Sequence, residues 1–294
     1  MKKYLIFRTD RIGDFLFSLK FIKIIKSNDP HSHITIIASE RNYNYIKTFN
    51  DIDKIIPLKN NLLAKIKLIF YLRKNKYETI IVHDGKNRSK FVSFFLRFNN
   101  KVICITDLID NQIDIIEKAC KKIQLKFDLK CIDFLDDRKH SVMHLPFDNY
   151  IHLHFDEKWE FNGYIKKYKN IEPSVDELVF FVKAILSKNK NLIITTGKES
   201  AIILNNLKHR INDLKVKIFE NQSLIEIEQI VFNSELVIAC HGWISHIASA
   251  KKIRQIDIID SSYPYDKWTS HFRNYNYLKR TSFDDLSKKI FNLI

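Results

Sequence analysis

The stretch YLIFRTDRIGDFLFSLKFIKIIK, residues 4–26, decides the fold. Tyr4 to Phe7 is a short unbroken apolar run, the pattern of a strand covered on both faces. Phe15 to Ile25 then places Leu16, Leu19, Ile22 and Ile25 at the spacing of one helix face. Between them runs the polar loop Arg8-Thr9-Asp10-Arg11-Ile12-Gly13-Asp14. A strand, a short polar loop and a helix make the first half of a right-handed βαβ unit, which returns the chain to a parallel neighbour.

The same alternation continues. Strands are expected at Ile34–Ala38, Ile55–Ile56, Thr79–Val82 and Val102–Ile105, with helices at Leu62–Arg73 and Lys90–Phe98. A second set starts near Tyr150. Its expected strands are Ile151–Phe155, Leu192–Thr195, Val216–Phe219, Leu236–Ala239 and, last, Ile256–Ile259. Its helices are Ser174–Ser187, Ala201–Leu207, Leu224–Phe232, His246–Ala250 and Asp284–Leu293. Ser174 followed by Glu177 reads as a capping box. Between the sets, Asp133 to Asn149 carries Asp136-Asp137-Arg138-Lys139 and Pro146 and reads as a linker. The expected organisation is α/β: two Rossmann-like, doubly wound parallel-sheet domains, 1–145 and 146–294, facing a central cleft. Open parallel sheets bind ligands beyond the carboxyl ends of their strands, so those loops are the ones to search.

Composition narrows the class. The chain has 294 residues, enough for two domains at about 150 residues each. Its four cysteines, Cys104, Cys120, Cys131 and Cys240, fit neither a zinc ribbon nor a disulfide framework, which suits a reducing cytosol. No run is long and apolar enough for a signal peptide or a membrane span. The balance of 49 Lys and Arg against 34 Asp and Glu, a formal +15, points either to an anionic partner or to a solvated lysine-rich surface. Aromatic residues fall mostly at core spacing rather than between lysines, so nucleic acid is not an expected partner.

Five loops carry candidate chemistry. In the first, Gly13 permits a tight turn or a close backbone approach, and Asp14 falls in the first helical turn. Its carboxylate could take a proton from an attacking hydroxyl, or only complement the helix dipole. The glycines of a dinucleotide fingerprint are absent. In His83-Asp84-Gly85-Lys86-Asn87-Arg88-Ser89, Arg88 could grip a phosphate or carboxylate, or be a surface arginine near a turn. After Ile151–Phe155 comes Asp156-Glu157-Lys158-Trp159, in which Lys158 is a candidate diphosphate cation. His152 and His154 share a strand face at metal-compatible spacing, but no third ligand is in register and core packing is favoured. Thr195-Thr196-Gly197-Lys198-Glu199 is either a nucleotide loop, with Glu199 on a ribose, or a plain strand-to-helix turn. Cys240-His241-Gly242-Trp243-Ile244-Ser245-His246 opens a short helix whose amides could hold a diphosphate; otherwise Trp243 is core and His246 a cap.

The opening residues 4–26, and the order of the later motifs, resemble glycosyltransferase family 9, the heptosyltransferases, whose fold is GT-B. The resemblance runs from Lys3 to about Ile259. It implies that Asp14 is the catalytic base and that Thr9, Asp10, Arg11, Gly13 and Arg88 bind the acceptor. Lys158, Thr195, Thr196, Gly197, Glu199, His241, Gly242, Trp243 and His246 then bind the donor. The family pattern Asp-Ser/Thr-Gly-x-x-His has His241, Gly242 and Trp243 at its first three positions here, with His246 matching the histidine.

The activity implied is inverting transfer of a heptose-like sugar from a nucleotide sugar such as ADP-heptose. The acceptor implied is the lipopolysaccharide core or a related glycan. No metal and no cofactor beyond that co-substrate is expected. The implied place is the cytoplasm, peripheral on the inner face of the inner membrane, against an anionic membrane surface. The altered 241–243 segment keeps a GDP- or UDP-hexose transferase open, and so does a non-catalytic module binding anionic glycan or nucleic acid.

Overall fold

The structure is a computed structural model that describes residues 1–104, 110–128, 130, 143–159, 168–197, 202–262 and 264–294. The chain folds as two compact units, Met1–Phe134 with Asp266–His271, and Leu135–Tyr265 with Phe272–Ile294.

The first unit is built on five parallel strands: β1 (Lys3–Arg8), β2 (His33–Ala38), β3 (Lys54–Pro57), β4 (Lys76–Val82) and β5 (Arg97–Ile103), in the order β3-β2-β1-β4-β5. The order reverses at β1, where the first crossover runs one way and a later one runs the other. Register pairs Arg8 with Ala38 and Phe7 with Val82, so the loops after β1, β2 and β4 leave the sheet side by side. Helix α1 (Ile12–Asn28) is apolar almost all round and is buried accordingly, from Phe15 to Ile22 and again at Ile24 and Ile25. On the opposite face, α3 (Leu62–Arg73) and α4 (Asn87–Phe94) cover a core of Leu5, Phe7, Ile80 and Val82 with Leu68, Ile69, Leu72 and Val92. A short α2 (Tyr43–Ile46) and α5 (Gln112–Lys122) complete the set, and α5 is capped by Asn111.

The second unit is a six-stranded parallel sheet of β6 (Ile151–Phe155), β7 (Leu192–Thr196), β8 (Val216–Phe219), β9 (Leu236–Cys240), β10 (Arg254–Ile259) and β11 (Tyr275–Lys279), ordered β11-β10-β9-β6-β7-β8. Helices α6 (Val175–Ser187), α7 (Ile202–Arg210), α8 (Leu224–Phe232), α9 (Trp243–Ala250) and α11 (Phe283–Leu293) pack around it; α10 (Asp266–Thr269) groups with the first unit. The expected capping box is present: Ser174 N–H donates to Glu177 Oε2 at 2.8 Å and Glu177 N–H to Ser174 Oγ at 3.2 Å. Ser223 and Glu226 form a second one at the start of α8.

Three expectations are corrected. The helix expected over Lys90–Phe98 stops at Phe94, and Arg97 already pairs with Lys76 in the ladder. Leu96 turns into the core between them and ends the helical path. Strand β5 is an exposed edge whose Arg-Phe-Asn-Asn-Lys start has no apolar period to betray it. Second, Ile256–Ile259 is not the last strand, because β11 adds beyond it as another exposed edge. Third, Gly13 sits inside the first turn of α1 rather than in a tight turn. The glycine that needs its freedom is Gly85, at φ +60.

Candidate active site

The first cluster sits at the carboxyl ends of β1 and β4. Arg8 is buried and its guanidinium spans the loop: Nε donates to the Asp14 carbonyl at 2.7 Å and Nη1 to the His83 carbonyl at 2.9 Å. Asp10 Oδ1 lies 3.4 Å from Arg8 Nε and accepts no hydrogen bond among the described residues. Burial pushes the Asp10 carboxyl up to about 6, against the pull of Arg8 and with help from the nearby charge of Asp14. Asp14 Oδ2 accepts the Arg11 N–H at 3.1 Å, so one carboxylate oxygen caps α1. Both readings of Asp14 are therefore open to one side chain, because its second oxygen takes no hydrogen bond among the described residues.

Asp84 is the hub that sequence reading passed over. Its Oδ2 accepts from Thr9 N–H at 3.1 Å, from Thr9 Oγ1, and from Ser89 Oγ at 2.7 Å. Arg88 Nε donates to Thr9 Oγ1 at 2.9 Å, Nη2 donates to the Thr9 carbonyl, and Nη1 reaches Asn60 Oδ1 at 3.2 Å. The structure thus brings Thr9, Asp10, Asp14 and Arg88 into one network, with the Arg88 fork engaged by the Thr9 loop. Arg11 stays exposed at the helix start. Gly85 allows this turn, since an added Cβ would stand 2.7 Å from the Cys104 carbonyl oxygen.

The second cluster lies at the carboxyl ends of β6, β7 and β9, which are neighbours in the sheet. Lys158 Nζ donates to Asp156 Oδ2 at 2.5 Å. Burial opposes both charges; their mutual attraction overcomes it, holding the Asp156 carboxyl down and the Lys158 ammonium up. The same ammonium approaches Gly242 so closely that a Cβ there would fall 2.7 Å from Nζ. A Cβ on Gly197 would meet Glu157 Oε2 at 2.4 Å and Asp156 Cβ at 3.3 Å. Each of these two glycines therefore lets the 156–159 loop come near.

His241 is held by a residue the sequence did not single out. Asp257, buried in β10, takes His241 Nδ1 at 2.6 Å, Ser245 Oγ at 2.8 Å and Tyr275 OH at 3.1 Å. A carboxylate only accepts, so His241 Nδ1 carries a hydrogen and its Nε2 is turned away from Asp257. Ser245 Oγ also accepts the Gly242 N–H at 3.2 Å. His246 is buried with its ring 5.5 Å from His241 and 5.2 Å from Phe272. Trp243, the first residue of α9, sets its ring edge-on to His154 at 6.4 Å.

Other sequence candidates lie elsewhere. Thr195 is wholly buried, its hydroxyl held by His152 Nε2 at 2.7 Å and His154 Nδ1 at 2.8 Å. Those two histidines are core residues, as their strand position favoured, and burial lowers the His154 imidazole to about 4. Among the described residues no group of three or more His, Cys, Asp or Glu is placed to hold a metal ion. Thr196 is also buried, with its hydroxyl on the Gly197 carbonyl at 3.1 Å. Glu199 lies outside the described residues. Arg280, just after β11, braces the cluster by donating to the Lys158 carbonyl at 2.6 Å and the Lys169 carbonyl at 2.8 Å. Its only sequence signal is an arginine closing a strand.

No protein-family model and no curated protein matches this sequence. Solved structures do match. The E. coli heptosyltransferase WaaC with ADP superposes at TM-score 0.72 and 11% identity, over 99% of this chain and 100% of that one. A family 9 glycosyltransferase from Veillonella parvula gives 0.70 and 12%, over 100% and 90%. The fold is theirs. The expected GT-B architecture is therefore the observed one. The UDP-GlcNAc 2-epimerase of Methanocaldococcus jannaschii also shares it, at TM-score 0.62 and 12% identity over 100% and 92%. Among the described residues no helix is long and apolar enough to cross a membrane.

Proposed function

We propose that this chain is an inverting glycosyltransferase that moves a heptose-like sugar from a nucleotide sugar to a lipopolysaccharide-core or related glycan acceptor. The observation that carries the reading is the approach of the Lys158 ammonium to Gly242 at the start of α9, beside the braced His241. A cation, a side-chain-free backbone and a helix N-terminus together make a diphosphate cradle. The E. coli WaaC structures that share the fold hold ADP and ADP-2-deoxy-2-fluoro heptose.

In this reading the first unit presents the acceptor and the second holds the donor. Asp14 takes the proton of the acceptor hydroxyl through the carboxylate oxygen that does not cap α1. The acceptor oxygen forms a bond to the anomeric carbon while the bond from that carbon to the phosphate oxygen breaks. The electron pair leaves with the diphosphate, whose charge is met by Lys158 and the α9 amides. No metal is assigned a role and the nucleotide sugar is the sole co-substrate. Such substrates place the enzyme in the cytoplasm, peripheral on the inner membrane.

Asp14→Asn is the informative variant, because an amide oxygen still accepts the Arg11 N–H but cannot serve as a base. The expected result is a fall in kcat of roughly 10²- to 10⁴-fold with donor affinity and folding retained. Full activity in that variant would remove Asp14 from the mechanism.

A further inference from the structure

Helix α3 is apolar on both sides. Its inner face, Leu68, Ile69 and Leu72, closes the core of the first unit, while Leu63 and Phe70 on the outer face are 72% and 66% exposed. The neighbouring α4 does the same. Val92 points in, whereas Phe94 is 75% exposed and forms an edge-to-face cluster with Phe95 at 5.2 Å, next to Phe91. Both helices cover the same side of the sheet, so their outer faces adjoin. Solitary exposed leucines need no explanation, but a run of large apolar side chains across two adjacent helices marks a surface that is covered in use.

The charge around it says by what. Residues 59–104 carry eleven lysines and arginines against two carboxylates, Glu78 and Asp84, and so supply most of the chain's +15. Neither carboxylate is spare: Glu78 accepts from Asn99 Nδ2, and Asp84 from Thr9 and Ser89. Lys67 and Lys74 fall on the same outward stripe of α3 as Leu63 and Phe70, at helical spacing. Exposed leucine and phenylalanine side chains ringed by unneutralised cations match an anionic bilayer, with rings among the acyl chains and ammonium groups at the headgroups. We propose that the outer face of α3 and α4 docks this protein on anionic phospholipid membranes. The proposal rests on the peripheral-membrane part of the proposed function and deepens it by naming the surface; vesicle binding tests the surface, and the Asp14→Asn kinetics test the transfer chemistry separately.

The test is flotation of the full chain with vesicles of phosphatidylcholine alone or of phosphatidylcholine and phosphatidylglycerol in equal parts. The expected result is binding to the anionic vesicles only, weakened by added salt. Phe70→Ser with Phe94→Ser should weaken it by about tenfold or more. Lys67→Glu with Lys74→Glu should weaken it by at least about fivefold per site. All four side chains are solvent-facing, so circular dichroism and melting temperature should stay unchanged in both variants. Absence of binding to anionic vesicles would overturn the proposal, as would binding that both variants retain. A dimer in light scattering that Phe70→Ser with Phe94→Ser dissociates would also overturn it, by showing that a second copy covers this face.

Discussion

Asp10 gives the sharpest test of the first cluster, because its position costs stability. The carboxyl ionises at about 6 in the folded protein against an ordinary 3.8. At roughly 1.4 kcal/mol per pH unit, that rise corresponds to about 3 kcal/mol. A carboxyl whose folded value is raised favours the folded state while protonated. That contribution is complete below the unfolded value near 4 and is lost as pH rises through 6. At pH 7.5 the wild type therefore holds a desolvated carboxylate that Arg8, at 3.4 Å, and the more weakly acting Lys86 compensate only in part. Asp10→Asn removes the charge and keeps the shape. Arg8 keeps its bonds to the carbonyls of Asp14 and His83. The variant is expected to be more stable than wild type by about 1–3 kcal/mol at pH 7.5 and by much less at pH 4.5. Urea unfolding of both proteins at the two pH values measures this directly. An equal stability difference at both values would refute the assignment of a raised, uncompensated Asp10. Strongly shifted groups cluster at functional sites, so a raised Asp10 beside Asp14 supports the proposed active site.

Two further outcomes follow from the packing. Lys158→Ala should leave Asp156 charged, buried and without its main partner, and lower stability by about 3–5 kcal/mol, while Lys158→Arg should lose less; urea titration separates them. Gly85→Ala forces a side chain onto a left-handed residue, with its Cβ 2.7 Å from the Cys104 backbone oxygen. About 1–3 kcal/mol should be lost there, read as an earlier unfolding midpoint with an unchanged denaturant slope.

Much of this molecule is written locally. The strand-loop-helix signal of residues 4–26, the capping serine at 174 and the run Ile151–Phe155 are set by neighbours in sequence, and each forms where its pattern indicates, while the strand read at Leu192–Thr195 runs one residue further. What escaped depends on distant parts of the chain. Asp257 lies sixteen residues beyond His241, in mid-strand, and only the pairing of β10 with β9 makes it that imidazole's partner. Asp84 reaches Thr9 across 75 residues by the same logic. Thr195, read both as the end of a strand and as the start of a candidate donor loop, lies within β7, where a strand buried on both faces hides its alternation and the sheet turns its hydroxyl onto two histidines. Strand β11 and the start of β5 lack an apolar period because they are largely exposed on both faces, so only their backbone ladders reveal them, whereas the end of β5 is legible at Val102.

The claim that the second unit cradles a sugar diphosphate is tested most directly by calorimetric titration with ADP-heptose, UDP-GlcNAc and a GDP-hexose, repeated on Gly242→Val. The added side chain would occupy the space now taken by Lys158 Nζ. The expected result is binding of one nucleotide sugar by the wild type, weakened by about tenfold or more in the variant. Absence of heat with every nucleotide sugar at millimolar concentration, or equal affinity in the two proteins, would contradict it.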